Sequence, residues 1–532
     1  MRDFFRRHWI PFGLGLLFLA QFLFVSPRGE FALNDDWVHT EMIKHWVETG
    51  EFRFNSYVGP LLYWPLLYGA ALVKLFGFSF TLLRVSTLVW LAALVALTYY
   101  FVAAQTKQHG LAAIVALTFW LNPISYNLAF TFMTDIPALT LTAASAILFW
   151  QALQTRQAKW IWFGSVAALL GFFTRQTAGL VLPAFGAYIV WLHYKKQSPF
   201  EFVAWFIPTA FATVGIIVGY TFLYFQNWLP GGVSLHAVPL SEFWEHLVWW
   251  FWYIFIYVGF IAAPLAAGCI WQKKTWRDWH WWTLTMTSVV TAILIKIFTN
   301  TQLPYVLNVI NFFGLGPNKD VLNGVLQFQF PGWLWGAATV GAAISAATLA
   351  YTAFSKSSNQ KNESWWLWGA IINAAPLLFF ESFDRYVLPV AFLFVLFVVS
   401  KLNWTRAQIT VGAITIAIIS VYSLTQTAFY LRWNAARWQL ADRAAQTGAP
   451  LNSIDGGYEW NGMHAYWSAA DSDLPHGTWT SPWWIRRLFV DNTEEYVVSF
   501  SPLNNYTTVT STRIEGHNPN NQLYLLRKSS WQ

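Results

Sequence analysis

The chain has 532 residues, of which 56% are hydrophobic and only 11% are charged. Soluble proteins contain about 25% charged residues, so this composition excludes an ordinary soluble protein and indicates a membrane protein. The net charge of +7 is modest and spread over short loops, which favours a role in membrane topology over nucleic-acid binding. The single cysteine, Cys269, excludes an intramolecular disulfide and a cysteine-based zinc site.

The N-terminal segment combines a basic start with an apolar run, MRDFFRRHWIPFGLGLLFLAQFLFV. A signal peptide has the same features, but the following SPRGEFAL is a poor cleavage site, so we expect an uncleaved first transmembrane helix. Apolar runs long enough to cross a bilayer predict about thirteen spans. They lie at 9–26, 80–104, 111–128, 134–152, 160–174, 177–194, 202–226, 247–271, 279–299, 332–353, 364–381, 385–400 and 408–430.

Lysine and arginine residues are concentrated in every second connection between these spans. They are Arg2, Arg6 and Arg7; Lys107; Arg156 and Lys159; Lys195 and Lys196; Lys273, Lys274 and Arg277; Lys356 and Lys361; Lys401 and Arg406. Cytoplasmic loops of membrane proteins are rich in these residues, so these short connections are predicted to be cytoplasmic. The longer connections, at 27–79, 227–246 and 300–331, are then predicted to lie outside.

The first outer loop is predicted to contain two juxtamembrane helices that cover a cavity. Apolar residues recur at helical spacing in 37-WVHTEMIKHWVETG-50, where Gly50 suits a C-cap and Asn34 or Asp35 an N-cap. The segment 61-LLYWPLLYGAALVKLFG-77 is typical of a second helix lying on the membrane surface.

The composition changes after about residue 431. The tail has turn clusters such as NSIDGGYEWNG and alternating runs such as EEYVVSF and QLYLLRK. The predicted fold is therefore an all-α polytopic membrane domain at 1–431, followed by a small α+β extracytoplasmic domain at 432–532.

Several charged residues fall where the predicted topology reaches the outer face. They are Asp35 and Asp36 after the first span, Arg84 at the start of the second, Asp135 in 130-FTFMTDIPALTL-141, Arg175 in 172-FFTRQTAG-179 and Arg385 in 380-FESFDRYVLP-389. Ionisable groups near a bilayer are costly to desolvate, so their convergence on one face indicates a functional site. Two simpler explanations stay open, because Asp35 or Asp135 could cap a helix and the arginines could be interfacial anchors.

Carboxylates beside arginines suit transfer from a phosphate leaving group. Arginine binds phosphate through two N–H groups at once, and a carboxylate can deprotonate an attacking hydroxyl. The substrate predicted from this combination is a phosphate carried in the membrane, and a lipid-linked sugar phosphate satisfies this description. A divalent metal held by the acid pair with His39 and Glu41 is an alternative use of these side chains. The sequence has no Walker A motif, so it gives no support for ATP-driven chemistry.

Four short motifs resemble those of a known superfamily. They are NDDW after the first span, TLLRVSTL at the start of the second, TDIP at the start of the fourth, and the late ESFDRYVLP. In this order they resemble the glycosyltransferase C superfamily over residues 1–430. The closest resemblance is to the branch of protein O-mannosyltransferases and bacterial lipid A aminoarabinose transferases, which is like glycosyltransferase family 39.

The resemblance implies an inverting membrane glycosyltransferase with a polyprenyl-phosphate sugar donor. It implies that Asp35 is the general base or lies next to it, and that Asp36 supports it where O-mannosyltransferases typically have glutamate. Asp135 is implied as a second active-site carboxylate. Contact with the donor phosphate is implied for Arg84, and more weakly for Arg175 and Arg385.

The expected reaction is attack by an acceptor hydroxyl on the anomeric carbon of the donor. The acceptor is a glycan, a lipid or a protein, the lipid bilayer is the other partner, and no nucleic acid is expected. The expected location is the bacterial plasma membrane, with the site and the tail outside. The main alternative is a transporter or flippase for a polyprenyl-linked glycan, which would need charges through the bilayer midplane. A non-catalytic scaffold or sensor that uses the outer tail is a further alternative.

Overall fold

The computed structural model describes residues 2–55, 62–226, 228, 238–316, 321–326, 329–355, 362–470, 494–514 and 521–529. The first half of the chain forms α1 (Arg2–Ala20), α2 (Asp36–Thr49), α3 (Tyr63–Phe76), α4 (Phe80–Thr106), α5 (His109–Leu121), α6 (Pro123–Ala129), α7 (Asp135–Thr155), α8 (Lys159–Phe172), α9 (Val181–Tyr194) and α10 (Phe202–Phe225). The second half forms α11 (Phe243–Ile261), α12 (Ala263–Ile270), α13 (Lys273–Trp276), α14 (Trp279–Thr299), α15 (Gly332–Ser355), α16 (Ser364–Phe379), α17 (Leu388–Val399), α18 (Arg406–Gln446) and α19 (Tyr458–Ala470). Short 3₁₀ turns lie at Gln21–Leu23, Gln176–Leu180, Asp384–Val387 and Leu451–Ser453.

The protein is an integral membrane protein built mostly from apolar helices. In the described part of the chain, seven helices are long and apolar enough to cross a membrane, and nine if each of two bent helix pairs is one span. The segments Trp9–Leu23, Lys159–Phe172 and Ser364–Phe379 are shorter apolar helices. A helix or helix pair lies at each of the thirteen predicted positions. The number of crossings and their orientation stay predictions.

Two of the predicted spans are sharply bent. The helix pair α5 and α6 bends by 62° and the pair α11 and α12 by 74°. In the first pair, Pro123 follows Asn122, whose backbone is extended at φ −65° and ψ 146°, as expected before a proline. The Asn122 side chain then accepts a hydrogen bond from the Ser125 backbone N–H at 3.0 Å and restarts the helix as α6. Ala262 and Pro264 lie at the second bend.

The connection at 27–79, predicted to be the first outer loop, contains both helices expected from its sequence. Helix α2 ends at Gly50, which has the left-handed backbone conformation (φ 79°) of a glycine C-cap. Helix α3 follows at Tyr63–Phe76 and packs against α2. Asp35 occupies the N-cap position of α2, but its side chain makes no capping hydrogen bond. Its carboxylate is therefore available for other contacts.

The polar tail has an α+β structure that packs on α18. A small hairpin between α14 and α15 contains β1 (Ile310–Asn311) and β2 (Gly314–Leu315). The tail itself contains β3 (Ile454–Asp455), β4 (Tyr496–Ser499), β5 (Tyr506–Arg513) and β6 (Gln522–Lys528), in the order β3-β4-β6-β5. Strand β3 pairs parallel to β4, and the other two pairings are antiparallel. Helix α18 runs for 41 residues through the predicted boundary at 431/432, so the division into two domains stays a prediction.

A glycine allows close packing between α11 and α15. A Cβ atom on Gly259 would lie 2.8 Å from the Ala346 Cβ atom and would also overlap the Ala342 carbonyl oxygen. Small residues permit such close approach of membrane helices, where packing replaces the hydrophobic effect as the main attraction.

We expect Gly259→Ala to destabilise the folded protein in detergent by about 1–3 kcal/mol, because the added methyl group overpacks this contact. The measurement is the midpoint of thermal unfolding of the purified protein. Gly341→Ala is the matched control, since no described atom lies within 4 Å of a Cβ at this helical glycine. Equal midpoints for the two variants would contradict the close-packing argument.

Candidate active site

Asp35 connects the first outer loop to two distant parts of the chain. Its Oδ1 atom accepts a hydrogen bond from the Tyr458 hydroxyl at 2.8 Å. Its Oδ2 atom lies 3.8 Å from Arg385 Nη2, and the carboxylate side chain is 30% exposed. Asp35 is therefore an ionisable group that is oriented by neighbours and still reachable from solvent.

Asp135 is the first residue of α7, and its carboxylate pairs with two arginines. Its Oδ1 atom accepts a hydrogen bond from Arg175 Nη1 at 2.8 Å and lies 3.7 Å from Arg385 Nε. The side chain is 4% exposed, and no described residue forms a hydrogen bond with Oδ2. The N-cap position belongs to Thr134. Asp135 therefore holds the arginines together rather than capping the helix.

Arg385 lies between the two carboxylates. Its side chain is 6% exposed, and within the described ranges its Nε and Nη1 atoms have no hydrogen-bond partner. Its guanidinium lies 5.7 Å from the centre of the Tyr386 ring, against which Arg175 also packs at 4.3 Å. A buried guanidinium with unpaired N–H groups is costly unless an anion satisfies them. Arg385 is buried and Arg175 is 14% exposed, and both guanidinium groups lie beside carboxylates rather than extending away as anchors.

The backbone of Arg385 is fixed by its neighbour. Asp384 is fully buried and accepts hydrogen bonds from the backbone N–H groups of Val309 at 3.3 Å and Ile310 at 2.8 Å. The same carboxylate accepts from the Arg385 backbone N–H at 2.7 Å. Asp384 thus joins the β1 hairpin to the 3₁₀ turn that presents Arg385.

His39 lies in the same electrostatic environment as the two carboxylates. It is buried one turn after Asp35 in α2, and its Nδ1 atom is 3.3 Å from the Phe132 carbonyl oxygen. Burial lowers the pKa of His39 to about 4, although Asp35 and Asp135 oppose this shift. The imidazole is therefore neutral near pH 7. Within the described ranges, Nε2 has no hydrogen-bond partner.

The divalent metal considered from the sequence does not fit this arrangement. No group of three His, Cys, Asp or Glu side chains among the described residues could hold a metal ion. Asp35 and Asp135 both face the Arg385 guanidinium, which repels a cation.

Asp36 has a different environment from its neighbour Asp35. It is fully buried, and its two oxygens accept from the backbone N–H groups of Leu33 at 2.6 Å and Phe132 at 3.2 Å. Burial raises the pKa of the Asp36 carboxyl to about 7, while Arg84 and the two N–H donors act in the opposite direction. Asp36 therefore ties the first outer loop to the segment that leads into α7.

Arg84 lies among backbone carbonyl groups. It is fully buried and donates hydrogen bonds to the carbonyl oxygens of Gly29 at 2.8 Å, Pro27 at 3.4 Å and Phe31. Its guanidinium also packs on the Phe31 ring at 4.5 Å. The Nη groups of Arg84 therefore face the 27–31 segment, whereas its Nε has no hydrogen-bond partner among the described residues, so its contact with a donor phosphate stays a prediction. The structure thus brings together Asp35, Asp135, Arg175 and Arg385, whereas Asp36 and Arg84 are buried against the backbone of the first outer loop.

A narrow cleft opens at this cluster. Its charged end is formed by Asp135, Arg175 and Arg385. Its apolar wall is formed by side chains such as Leu139 and Leu388, from the starts of α7 and α17. The cleft therefore has a charged end and a hydrocarbon-lined end.

Part of the chain matches a known family. Residues 59–225 match the model described as dolichyl-phosphate-mannose-protein mannosyltransferase. The resemblance to this family is confirmed for that segment. The mannosyltransferase-like segment includes Arg84, Asp135 and Arg175, whereas Asp35 and Arg385 lie outside it. None of the curated proteins matches the chain.

Distant likenesses to solved structures extend over most of the chain. ArnT from Cupriavidus metallidurans bound to undecaprenyl phosphate shares 10% identity, with 97% of this chain and 98% of that chain covered and a TM-score of 0.40. Archaeal oligosaccharyltransferase AglB from Archaeoglobus fulgidus, in complex with an inhibitory peptide and a dolichol-phosphate, shares 11% identity over 82% and 58%, with a TM-score of 0.40. Arabinosyltransferase EmbB from Mycobacterium smegmatis shares 11% identity over 83% and 43%, with a TM-score of 0.37.

Two tyrosines of the cluster were not anticipated from the sequence. Tyr386 directly follows Arg385 in the sequence, and this position could have suggested an aromatic ring packed against the arginine. Tyr458 lies 423 residues after Asp35, in a turn-rich segment without a chemical motif. No local sequence signal indicates that the tail reaches this site.

We expect Asp36→Asn to lower the free energy of unfolding by about 1–3 kcal/mol, because the amide offers one acceptor oxygen to two buried N–H donors. The comparison variant is Asp35→Asn, which makes the same change at a partly exposed side chain and should have a smaller effect. Thermal unfolding of both purified variants measures the difference. A variant at position 36 that is as stable as the wild type would exclude the positioning role.

Proposed function

We propose that the protein is an inverting glycosyltransferase that moves a sugar from a polyprenyl-phosphate donor to an acceptor hydroxyl at the outer membrane face. The observation that carries the proposal is Arg385, a buried arginine between Asp35 and Asp135 whose Nε and Nη1 groups have no hydrogen-bond partner among the described residues. The description of the matched family names a dolichyl-phosphate-linked mannose, which supports a donor of this class.

Arg175 and Arg385 are the proposed phosphate ligands. Both line the charged end of the cleft, and arginine presents paired N–H groups that match phosphate oxygens. Asp135 keeps the two guanidinium groups close together despite their like charge. Because the donors are already in place, they stabilise the charge that develops on the departing phosphate without further rearrangement.

The polyprenyl chain is proposed to follow the apolar wall of the cleft. Leu139 and Leu388 lie within one or two turns of the charged residues along α7 and α17. A lipid with its phosphate at the arginines would therefore place hydrocarbon against hydrocarbon. This is a simple way to bind a substrate with one charged group and a long apolar tail.

Asp35 is the proposed general base. Its carboxylate is 30% exposed, whereas that of Asp135 is 4% exposed and hydrogen-bonded to Arg175. An acceptor hydroxyl can therefore approach Asp35 more easily. A positioned base of this kind contributes about 10²–10⁴-fold to the rate.

The proposed step is a single displacement at the anomeric carbon. The acceptor oxygen forms the new bond to that carbon while the bond to the phosphate oxygen breaks, and Asp35 takes the hydroxyl proton. Attack from the face opposite the phosphate inverts the configuration. The products are the glycosylated acceptor and a polyprenyl phosphate.

The tail 432–532 is proposed to be a domain on the same side of the membrane as the site. Asn34 in the first outer loop donates its backbone N–H to Glu459 of the tail at 2.8 Å, which supports a shared side. Bacterial plasma membrane is the proposed location, with the site extracytoplasmic.

We expect Asp35→Asn to lower turnover at least about 100-fold, because the amide cannot accept the proton. The assay uses membranes containing the protein and undecaprenyl phosphate carrying mannose, aminoarabinose or arabinose, and it follows release of undecaprenyl phosphate. Glu48→Gln, on the exposed face of the same helix, is the matched control and should keep wild-type activity. Near-normal turnover by Asp35→Asn would remove Asp35 from the base role. Movement of intact lipid-linked sugar across the membrane would indicate a transporter instead.

We expect Arg175→Gln and Arg385→Lys to weaken binding of undecaprenyl phosphate by roughly 10- to 100-fold, as expected for loss of charge-assisted hydrogen bonds. Binding is measured by the lipid-dependent rise in unfolding temperature of the purified protein. Arg443→Gln removes an exposed arginine on α18 and serves as the control. Wild-type affinity in both site variants would place the phosphate elsewhere.

A further inference from the structure

The tail contributes a side chain to the proposed base. The Tyr458 hydroxyl donates a hydrogen bond to Asp35 Oδ1 at 2.8 Å. The Tyr458 ring meets the Trp37 ring edge-on, with 6.2 Å between centroids. Tyr458 is the first residue of α19, so this helix begins at the carboxylate on which the proposed reaction depends.

Glu459, the next residue of α19, fixes how this helix is aligned with the first outer loop. Glu459 is buried, accepts the Asn34 backbone N–H at 2.8 Å and pairs with Arg437 Nη2 at 2.7 Å. Two consecutive tail residues thus bind two consecutive loop residues. Arg437 lies on α18, and this anchors the arrangement to the long helix.

A close helix contact lies one turn further along α19. A Cβ atom on Gly462 would lie 2.5 Å from Trp37 Cε2 and 2.7 Å from Trp37 Cδ2. Glycine is therefore required for α19 to lie this close to α2. The polar contact at Tyr458 and the apolar contact at Gly462 act at successive turns of the same helix.

The two oxygens of Asp35 face different neighbours. Oδ1 is bound to Tyr458, whereas Oδ2 lies 3.8 Å from Arg385, beyond hydrogen-bond distance. A carboxylate beside a guanidinium tends to form a bidentate ion pair. Such a pair would occupy both carboxylate oxygens and the N–H groups that a phosphate needs. The hydrogen bond from Tyr458 opposes this rotation.

We propose that Tyr458 is a positioning residue that holds Asp35 apart from Arg385, so that the tail completes the active site. This inference rests on the proposed function, since it assigns Tyr458 a role through the base. Tyr458 holds one oxygen, the other oxygen takes the proton from the acceptor, and Arg385 stays free for the donor phosphate.

The test is Tyr458→Phe in the full-length protein, assayed with the undecaprenyl-phosphate sugar that the wild type turns over. The phenyl ring keeps its contact with Trp37, so the unfolding temperature should match the wild type. We expect kcat to fall roughly 10-fold because the base is misplaced, with little change in KM for the donor. Tyr524→Phe, which removes an exposed tail hydroxyl bonded to Gln522, is the control and should leave both constants unchanged.

A second variant disturbs the same contact without removing a polar atom. Gly462→Ala should displace α19 from α2 and lower kcat in the same way, while Gly341→Ala provides the control. If Gly462→Ala retains wild-type kcat, the docking of α19 is not required for catalysis and the proposal is wrong. A different result for Tyr458→Phe would also overturn the proposal. If this variant has a lower unfolding temperature and a higher KM as well as a lower kcat, Tyr458 has a structural role and not a positioning role.

Failure of this inference can be separated from failure of the proposed function. If Asp35→Asn is inactive while Tyr458→Phe has wild-type kcat, the base assignment stands and only the positioning role is lost. If Asp35→Asn is active, the base assignment fails and this inference fails with it. In the inactive Asp35→Asn background, Tyr458→Phe should cause no further loss of the residual rate, because its effect passes through the carboxylate.

Discussion

The site depends on a buried arginine that is shared between two carboxylates. Arg385 has 6% of its side chain exposed and lies 3.8 Å from Asp35 and 3.7 Å from Asp135. Desolvating this charge costs several kcal/mol, which ion pairs offset only when their geometry is good. Here both distances exceed hydrogen-bond length, and Nε and Nη1 lack partners among the described residues. The two carboxylates therefore balance the charge of Arg385 without forming hydrogen bonds to it, which is consistent with the phosphate-binding role proposed for this arginine.

Adjacent acids serve different purposes because their surroundings differ. Asp36 is enclosed, with backbone N–H groups on both oxygens, and its raised pKa reflects that burial. Asp35, one residue earlier, is partly exposed and has a single hydroxyl donor on Oδ1. In many enzymes, two carboxylates have different roles because their surroundings shift their pKa values differently. Asp36 and Arg84 fix the loop, and that loop in turn holds Asp35 opposite Arg385.

The sequence predicts the helices well because bilayer-length apolar runs have a strong signal. It also predicts that Asp135, Arg175 and Arg385 converge, since topology places their segments on one face. It does not distinguish Arg84 from the other arginines, because only the tertiary structure shows its donors meeting the carbonyls of residues 27–31. The bend at Asn122 has a proline signal, but its angle depends on packing. The contact of Tyr458 with Asp35 has no local signal, since the two residues lie 423 positions apart.

The contact between the tail and the first outer loop makes the site depend on both ends of the chain. Asn34 has a left-handed backbone conformation (φ 55°) and presents its N–H to Glu459, whose charge is balanced by Arg437 on α18. Removing one member of a buried ion pair costs about 3–5 kcal/mol, because the remaining charge stays desolvated. The free energy that fixes α19 therefore also fixes the conformation of the loop beside the base. Docking of the tail and the arrangement of the loop beside Asp35 thus depend on the same few side chains.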